Sequence, residues 1–223
     1  MNKLLLAAAF ALAAVRSAYA APLNVVELFT SQGCSDCPPA NANFREIADR
    51  PDVLALSFSV TYWDRLGWKD TFGKQEFTRR QYEYAKDFQS NPYTPQIVID
   101  GRTDLIGNVK REIEDTIAKQ QPLSGPAITI ANNKLSVAAQ PHPAHSANVW
   151  LVRYDPHVVN VPVGRGENAG AVLPHRNVVR ELTRLGSWNG DAETYDLPNA
   201  QPGLATAILV QDIHGPVLSA LKL

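Results

Sequence analysis

Residues 30–41 read TSQGCSDCPPAN, and the reading of the whole chain turns on them. They hold Cys34 and Cys37, the only two cysteines of the sequence, at a spacing that serves either redox chemistry or a metal. A secreted protein held together by disulfides carries more cysteines at wider spacings. A loop this small also restricts the unfolded chain little, so stability is not its expected purpose. Upstream lies a short β-rich run, NVVELFT (24–30). Downstream, ANANFREIADR (40–50) sets Phe44, Ile47 and Ala48 at helical spacing. The cysteines therefore sit at the junction of a strand–loop–helix unit.

A disulfide between residues i and i+3 closes readily when the first cysteine sits at a helix start and the second one turn inside. Free N–H groups there stabilise a thiolate on the first sulfur. Cys34 is thus expected to be the exposed nucleophile and Cys37 the resolving thiol, passing through a mixed disulfide. Pro38 and Pro39 follow at once. Proline is tolerated in the first turn, but Pro39 can kink the helix or delay its start, and Asp36 opposes a nearby thiolate. Acidification of Cys34 is therefore expected to be weaker than in the strongest oxidants. Glu27 interrupts the apolar run before the loop. Buried below the cysteines it would be a proton relay to Cys37; otherwise it points to solvent or pairs with a basic residue.

Further along, VLALSFSV (53–60) reads as a buried strand, and VTYWDRLGWKD (60–70) as an aromatic loop leading to a helix over 74–88. PQIVIDGRTDLIG (95–107) reads as two strands joined through Asp100-Gly101, with Pro95 opening the first. Asn108 is expected to cap a helix carrying Val109, Ile113 and Ile117 on one stripe. After the linker QQPLSGP the pattern changes to short strands at 127–130, 134–139, 147–154, 157–163, 204–211 and 216–221, with 176–185 open between strand and helix. The expected class is α+β: a mixed sheet with flanking helices over 21–121 and a mainly antiparallel β domain over 122–223.

The first twenty residues have the form of a cleaved secretory signal: Lys3, the short apolar run Leu4 to Val15, and Ala18-Tyr19-Ala20. A periplasmic or secreted location is expected. Loss of Lys3 and Arg16 leaves 203 residues with 19 basic and 22 acidic side chains, a formal charge of −3. That balance excludes an electrostatic case for nucleic acid or anionic lipid, and no later run is long enough to span a membrane. A monomer is the default expectation.

Taken together, VVELFTSQGCSDCPPAN, VTYWDRLGWKD, YTPQIVIDGR, GRGEN (164–168) and HRNVVR (175–180) resemble, in order and spacing, a secreted thioredoxin-like family known as domain of unknown function 1223. The resemblance implies a thioredoxin-like fold with an appended β portion and brings no activity with it. It implies that Cys34 and Cys37 are the redox pair, that Pro95 is a cis-proline and that Thr94 is its backbone partner. It also matches Tyr62, Trp63, Asp64 and Trp68 to the family's aromatic loop, an apolar platform for a substrate or plain packing. Arg165, Glu167, Asn168, His175, Asn177 and Arg180 either cover the thiol site or lace a long loop.

The expected function is thiol–disulfide exchange with a protein or small-molecule partner, without cofactor. Two rivals remain: copper binding through Cys34, Cys37 and His175, and a non-catalytic binding module whose cysteines form a clip. His142 and His145 suggest a surface loop rather than ligands.

Overall fold

Strand β1 (Asn24–Thr30) runs through the middle of the sheet, and every residue after Asn24 is buried. A strand covered on both faces must be apolar nearly throughout, which explains its run of Val, Leu and Phe broken only by Glu27. The computed structural model describes residues 23–223 apart from His142. The expected signal at 1–20 and the histidine at 142 therefore lie outside the described residues.

After β1 come helix α1 (Cys37–Ala48), β2 (Val53–Ser59), α2 (Gln75–Asp87), β3 (Gln96–Ile99), β4 (Thr103–Ile106) and α3 (Lys110–Ala118). The remaining chain adds β5 (Ile128–Ala131), β6 (Lys134–Val137), β7 (Ala147–Asp155), β8 (Val159–Pro162), β9 (Val172–His175), β10 (Val178–Trp188), β11 (Glu193–Asp196), β12 (Ala205–Asp212) and β13 (Val217–Lys222). The architecture is α+β.

Eight strands form one sheet in the order β13-β12-β7-β10-β2-β1-β3-β4. β1 and β2 are parallel, while β3 and β4 add antiparallel at one edge. The join to the later strands is narrow: β10 meets β2 through the pair Val178↔Ser57. Asn177 secures it, accepting the Ser57 N–H at its carbonyl (2.9 Å) and donating its side-chain amide to Ala55 O (2.8 Å). Sheet β11-β6-β5 and hairpin β8-β9 stand apart from the main sheet.

Alternation along β1 divides the core. Val26 and Leu28 face Ala40, Phe44 and Ile47 of α1 and Ile113 and Ile117 of α3. Val25 and Phe29 face Phe77 and Tyr84 of α2, in a cluster that continues into Val152, Val179 and Leu209 of the later strands. Burying each such aliphatic or aromatic side chain contributes about 1.5–3 kcal/mol. Trp188 anchors a third cluster between the small sheet and β7 and β12.

Several expectations change in detail. The residue before α3 is Val109, not Asn108, and no side chain caps that helix. The Val109 carbonyl already accepts the N–H groups of Glu112 and Ile113, so the ladder starts one residue later than the sequence suggested. The open segment 176–185 becomes strand from Val178, because β10 pairs with β7 from Val178 to Trp188, with two register shifts. β9 and β11 are additional. Residues 125 and 126 lie against β13, where the Gly125 N–H donates to Leu218 O (2.8 Å) and the Ser219 hydroxyl to Pro126 O (2.7 Å). A Cβ on Gly125 would lie 2.6 Å from the Leu218 backbone, so only glycine fits that approach.

Candidate functional site

Cys34 and Cys37 are joined as a disulfide with Cα atoms 5.4 Å apart. α1 starts at Cys37, with Asp36 at its N-cap making no side-chain cap bond and with proline in the first turn. Cys34 thus lies outside the helix, three residues before its first member. The prolines account for the late start: neither has an N–H to donate. Cys34 is also not exposed. Its relative accessibility is 1% and that of Cys37 is 0%, which corrects the expectation of an exposed nucleophile.

Three segments close over the pair. The first is the Thr94–Pro95 step, whose peptide bond is cis. The Thr94 hydroxyl donates to Cys34 Sγ (3.3 Å) and accepts from the indole Nε1 of Trp63 (2.8 Å).

The second is the aromatic loop. Trp68 Nε1 donates to the Gln32 side-chain oxygen (2.9 Å), and the Gln32 N–H donates to the buried carboxylate of Asp70 (2.7 Å). Burial raises the Asp70 carboxyl above its ordinary range, against the backbone donors that lower it. Asp64 accepts the Asp70 N–H (3.0 Å), so its carboxylate ties the loop together. Tyr62 stacks on Tyr82 at 6.5 Å, and burial raises its hydroxyl above the ordinary range, against the neighbouring Thr94 and Gln81 side chains that lower it.

The third is the turn between β8 and β9, which carries GRGEN. The Asn168 amide donates to Gln32 O (3.0 Å) and Cys34 O (2.8 Å), and the Glu167 carboxylate accepts the Ser35 N–H (3.1 Å). Gly166 holds a left-handed φ of 78°, and a Cβ on Gly164 would stand 3.1 Å from the Trp68 ring. The turn can therefore lie flat on that indole.

Other expected site residues lie elsewhere. Glu27 is fully buried but sits on the α2 face of β1 with Val25 and Phe29, opposite the face that α1 covers. Its carboxylate accepts two bonds from Arg80 (2.6 and 2.8 Å) and one from the Tyr84 hydroxyl (2.6 Å). Gln211 completes the cluster, accepting from Arg80 (3.0 Å) and donating to the Tyr84 oxygen (2.8 Å). Glu27 is therefore paired with a basic residue, away from the cysteines. The helical spacing of Arg80 and Tyr84 was its only hint in the sequence.

His175 is buried against α1, with neither ring nitrogen bonded among the described residues and the Phe72 ring edge-on at 5.6 Å. Burial, then Arg45 and Arg180, hold its imidazole down at about 4. It is not gathered with Cys34 and Cys37: among the described residues no three His, Cys, Asp or Glu side chains form a metal-binding group. Arg180 lies over the Phe72 ring (4.3 Å) and pairs with Asp155 (3.3 Å). Gln32 and Asp70 were not singled out from the sequence, although both sit inside the motifs that were.

Comparison with known proteins gives two structural matches. An Agrobacterium tumefaciens protein of known crystal structure shares 30% identity, with 90% of this chain and 93% of that one covered at a TM-score of 0.73. HBP35 of Porphyromonas gingivalis matches at 11% identity, covering 91% and 74% at a TM-score of 0.60, a likeness of fold alone. None of the curated proteins matches significantly. Residues 25–211 match the family described as protein of unknown function DUF1223, and this chain belongs to that family.

Proposed function

We propose that the protein is a secreted or periplasmic thiol–disulfide oxidoreductase with a thioredoxin-like arrangement around its cysteine pair, acting as a monomer. One observation carries the reading: a disulfide at the head of α1 whose first sulfur receives a hydroxyl from the residue preceding a cis-proline. In the reduced protein the Cys34 thiolate attacks one sulfur of a substrate disulfide. The Cys34–substrate bond forms as the substrate S–S bond breaks, and the departing thiolate takes a proton from solvent. Cys37 then attacks Cys34 Sγ, forming the intramolecular disulfide and releasing the second substrate thiol. Two electrons pass from the dithiol to the substrate, and the reverse sequence oxidises a partner dithiol.

Burial of both cysteines favours a second reading, in which the pair is an inert clip. The reduction potential separates the two. Metal-free protein is equilibrated in graded thiol buffers and its free thiols are counted by mass after alkylation. A reversible two-electron transition between about −120 and −270 mV is expected of an oxidoreductase, whereas a clip resists reduction to below about −300 mV.

A further inference from the structure

Deepening the reading above, on which it rests, we propose that the reactivity of Cys34 is set by a side-chain relay from the Trp63 indole through the Thr94 hydroxyl to the sulfur, in place of the helix N-terminus. The backbone donors that could serve a thiolate are engaged or missing. The Cys37 N–H donates to Cys34 O (3.2 Å), the Ser35 N–H to Glu167 (3.1 Å) and the Gly33 N–H to the Ser31 hydroxyl (3.1 Å). Pro38 and Pro39 have no N–H. The Cys34 N–H donates to Ser31 O (3.2 Å), so within the loop 33–39 the amide left is that of Asp36, on a residue whose own carboxylate repels a thiolate.

The relay has a fixed direction. An indole nitrogen only donates, so Trp63 Nε1 at 2.8 Å occupies a lone pair of Thr94 Oγ1. The single hydroxyl hydrogen points to Cys34 Sγ at 3.3 Å, where a thiolate outcompetes the neutral Tyr62 oxygen that also neighbours Thr94. A disulfide sulfur is a weak acceptor and a thiolate a strong one, so the bond strengthens when the pair is reduced. Burial of the sulfur enlarges that difference. The relay therefore favours the reduced thiolate form, making the pair a stronger oxidant and Cys34 reactive at lower pH. Gly33 lets the cysteine loop approach Trp63: a Cβ there would stand 3.2 Å from the Trp63 Cβ. Thr94 touches the reacting atom and is a catalytic residue; Trp63 acts through it and is a positioning residue.

The test uses the full chain and three variants: Thr94→Val, which keeps the shape and loses the hydroxyl, Thr94→Ser, which keeps the hydroxyl, and Trp63→Phe, which loses the indole N–H. For each, the rate of Cys34 alkylation by iodoacetamide is followed against pH in the reduced protein, and the potential is measured at equilibrium. Thr94→Val is expected to move the alkylation midpoint up by about one pH unit and to make the pair more reducing. Thr94→Ser is expected to stay near the wild type, and Trp63→Phe to shift in the direction of Thr94→Val by less. A wild-type midpoint in Thr94→Val, or an equal shift in Thr94→Ser, overturns the relay. If Thr94→Val does not fold, the remaining pair decides: a shift in Trp63→Phe but not in Thr94→Ser supports it, and any other pattern sinks it. A shifted midpoint without a reversible potential leaves the relay standing and removes the oxidoreductase reading; the converse keeps the reading and removes the relay.

Discussion

The two sides of the cysteine-bearing unit handle buried polar groups in opposite ways. On the α2 face of β1, Glu27, Arg80, Tyr84 and Gln211 form a closed network in which the carboxylate alone accepts three bonds. Around the cysteines, by contrast, the Cys34 sulfur receives one hydroxyl, and the covering turn holds on through two side chains. The first arrangement fixes the packing of α2 against the sheet. The second leaves groups that can exchange partners, as the proposed thiol–disulfide exchange requires. A central carboxylate near a cysteine pair is thus no guide to chemistry until its own partners are known.

The sharpest way to break the contrast is on the network side. Glu27→Ala leaves the Arg80 guanidinium buried and uncompensated and should lower unfolding stability by about 3–5 kcal/mol in urea titration. Joint replacement by Glu27→Leu and Arg80→Met should recover most of that loss. Neither should alter the alkylation midpoint of Cys34 in the folded fraction; a shift there would show that the two sides communicate. Reducing the disulfide should cost about 2 kcal/mol or less, because the loop it closes is short.

Two buried titratable groups sharpen the comparison with opposite signs. Asp100 accepts the Val25 N–H (2.6 Å) through one oxygen, the other has no partner among the described residues, and burial pushes its carboxyl up to about 6. Its favourable contribution is full below the unfolded value of 3.8 and is lost as pH rises through about 6. Asp100→Asn should therefore raise Tm by about 3 °C or more at pH 8, and by less at pH 4.5. His175, held down to about 4 from 6.5, contributes fully above 6.5 and loses that contribution as pH falls towards 4. His175→Phe should then help at pH 4.5 and not at pH 8, by scanning calorimetry. On the site side, Asn168→Ala should change stability by only about 1 kcal/mol while speeding alkylation of the reduced cysteines severalfold.

Much of the first half was legible because its signals are local. Helical spacing of Phe44 and Ile47, the apolar run of β2 and the Asp100-Gly101 turn each report on their own neighbours. What stayed hidden depends on distant partners. The strand β10 reads as helix or strand until β7 lies beside it, and the four-residue strands β9 and β11 exist only through β8 and β6. The loop sequence marks Cys34 and Cys37 as a pair but says nothing of their cover, which arrives from 132 and 134 positions away. Glu27 stayed open between proton relay and ion pair for the same reason: Arg80 is 53 residues downstream.

That distance also orders events during synthesis. Cys34 and Cys37 are made early, with β1, α1 and α2, while Glu167 and Asn168 come last of the groups that touch their loop. Until the chain has grown past Asn168, the pair lacks its seal and meets whatever oxidants and thiols surround the nascent polypeptide. The last side chains to reach the cysteine loop are thus supplied by the later half of the chain, so the cover over the pair is completed only after the strand–loop–helix unit that carries it has been made.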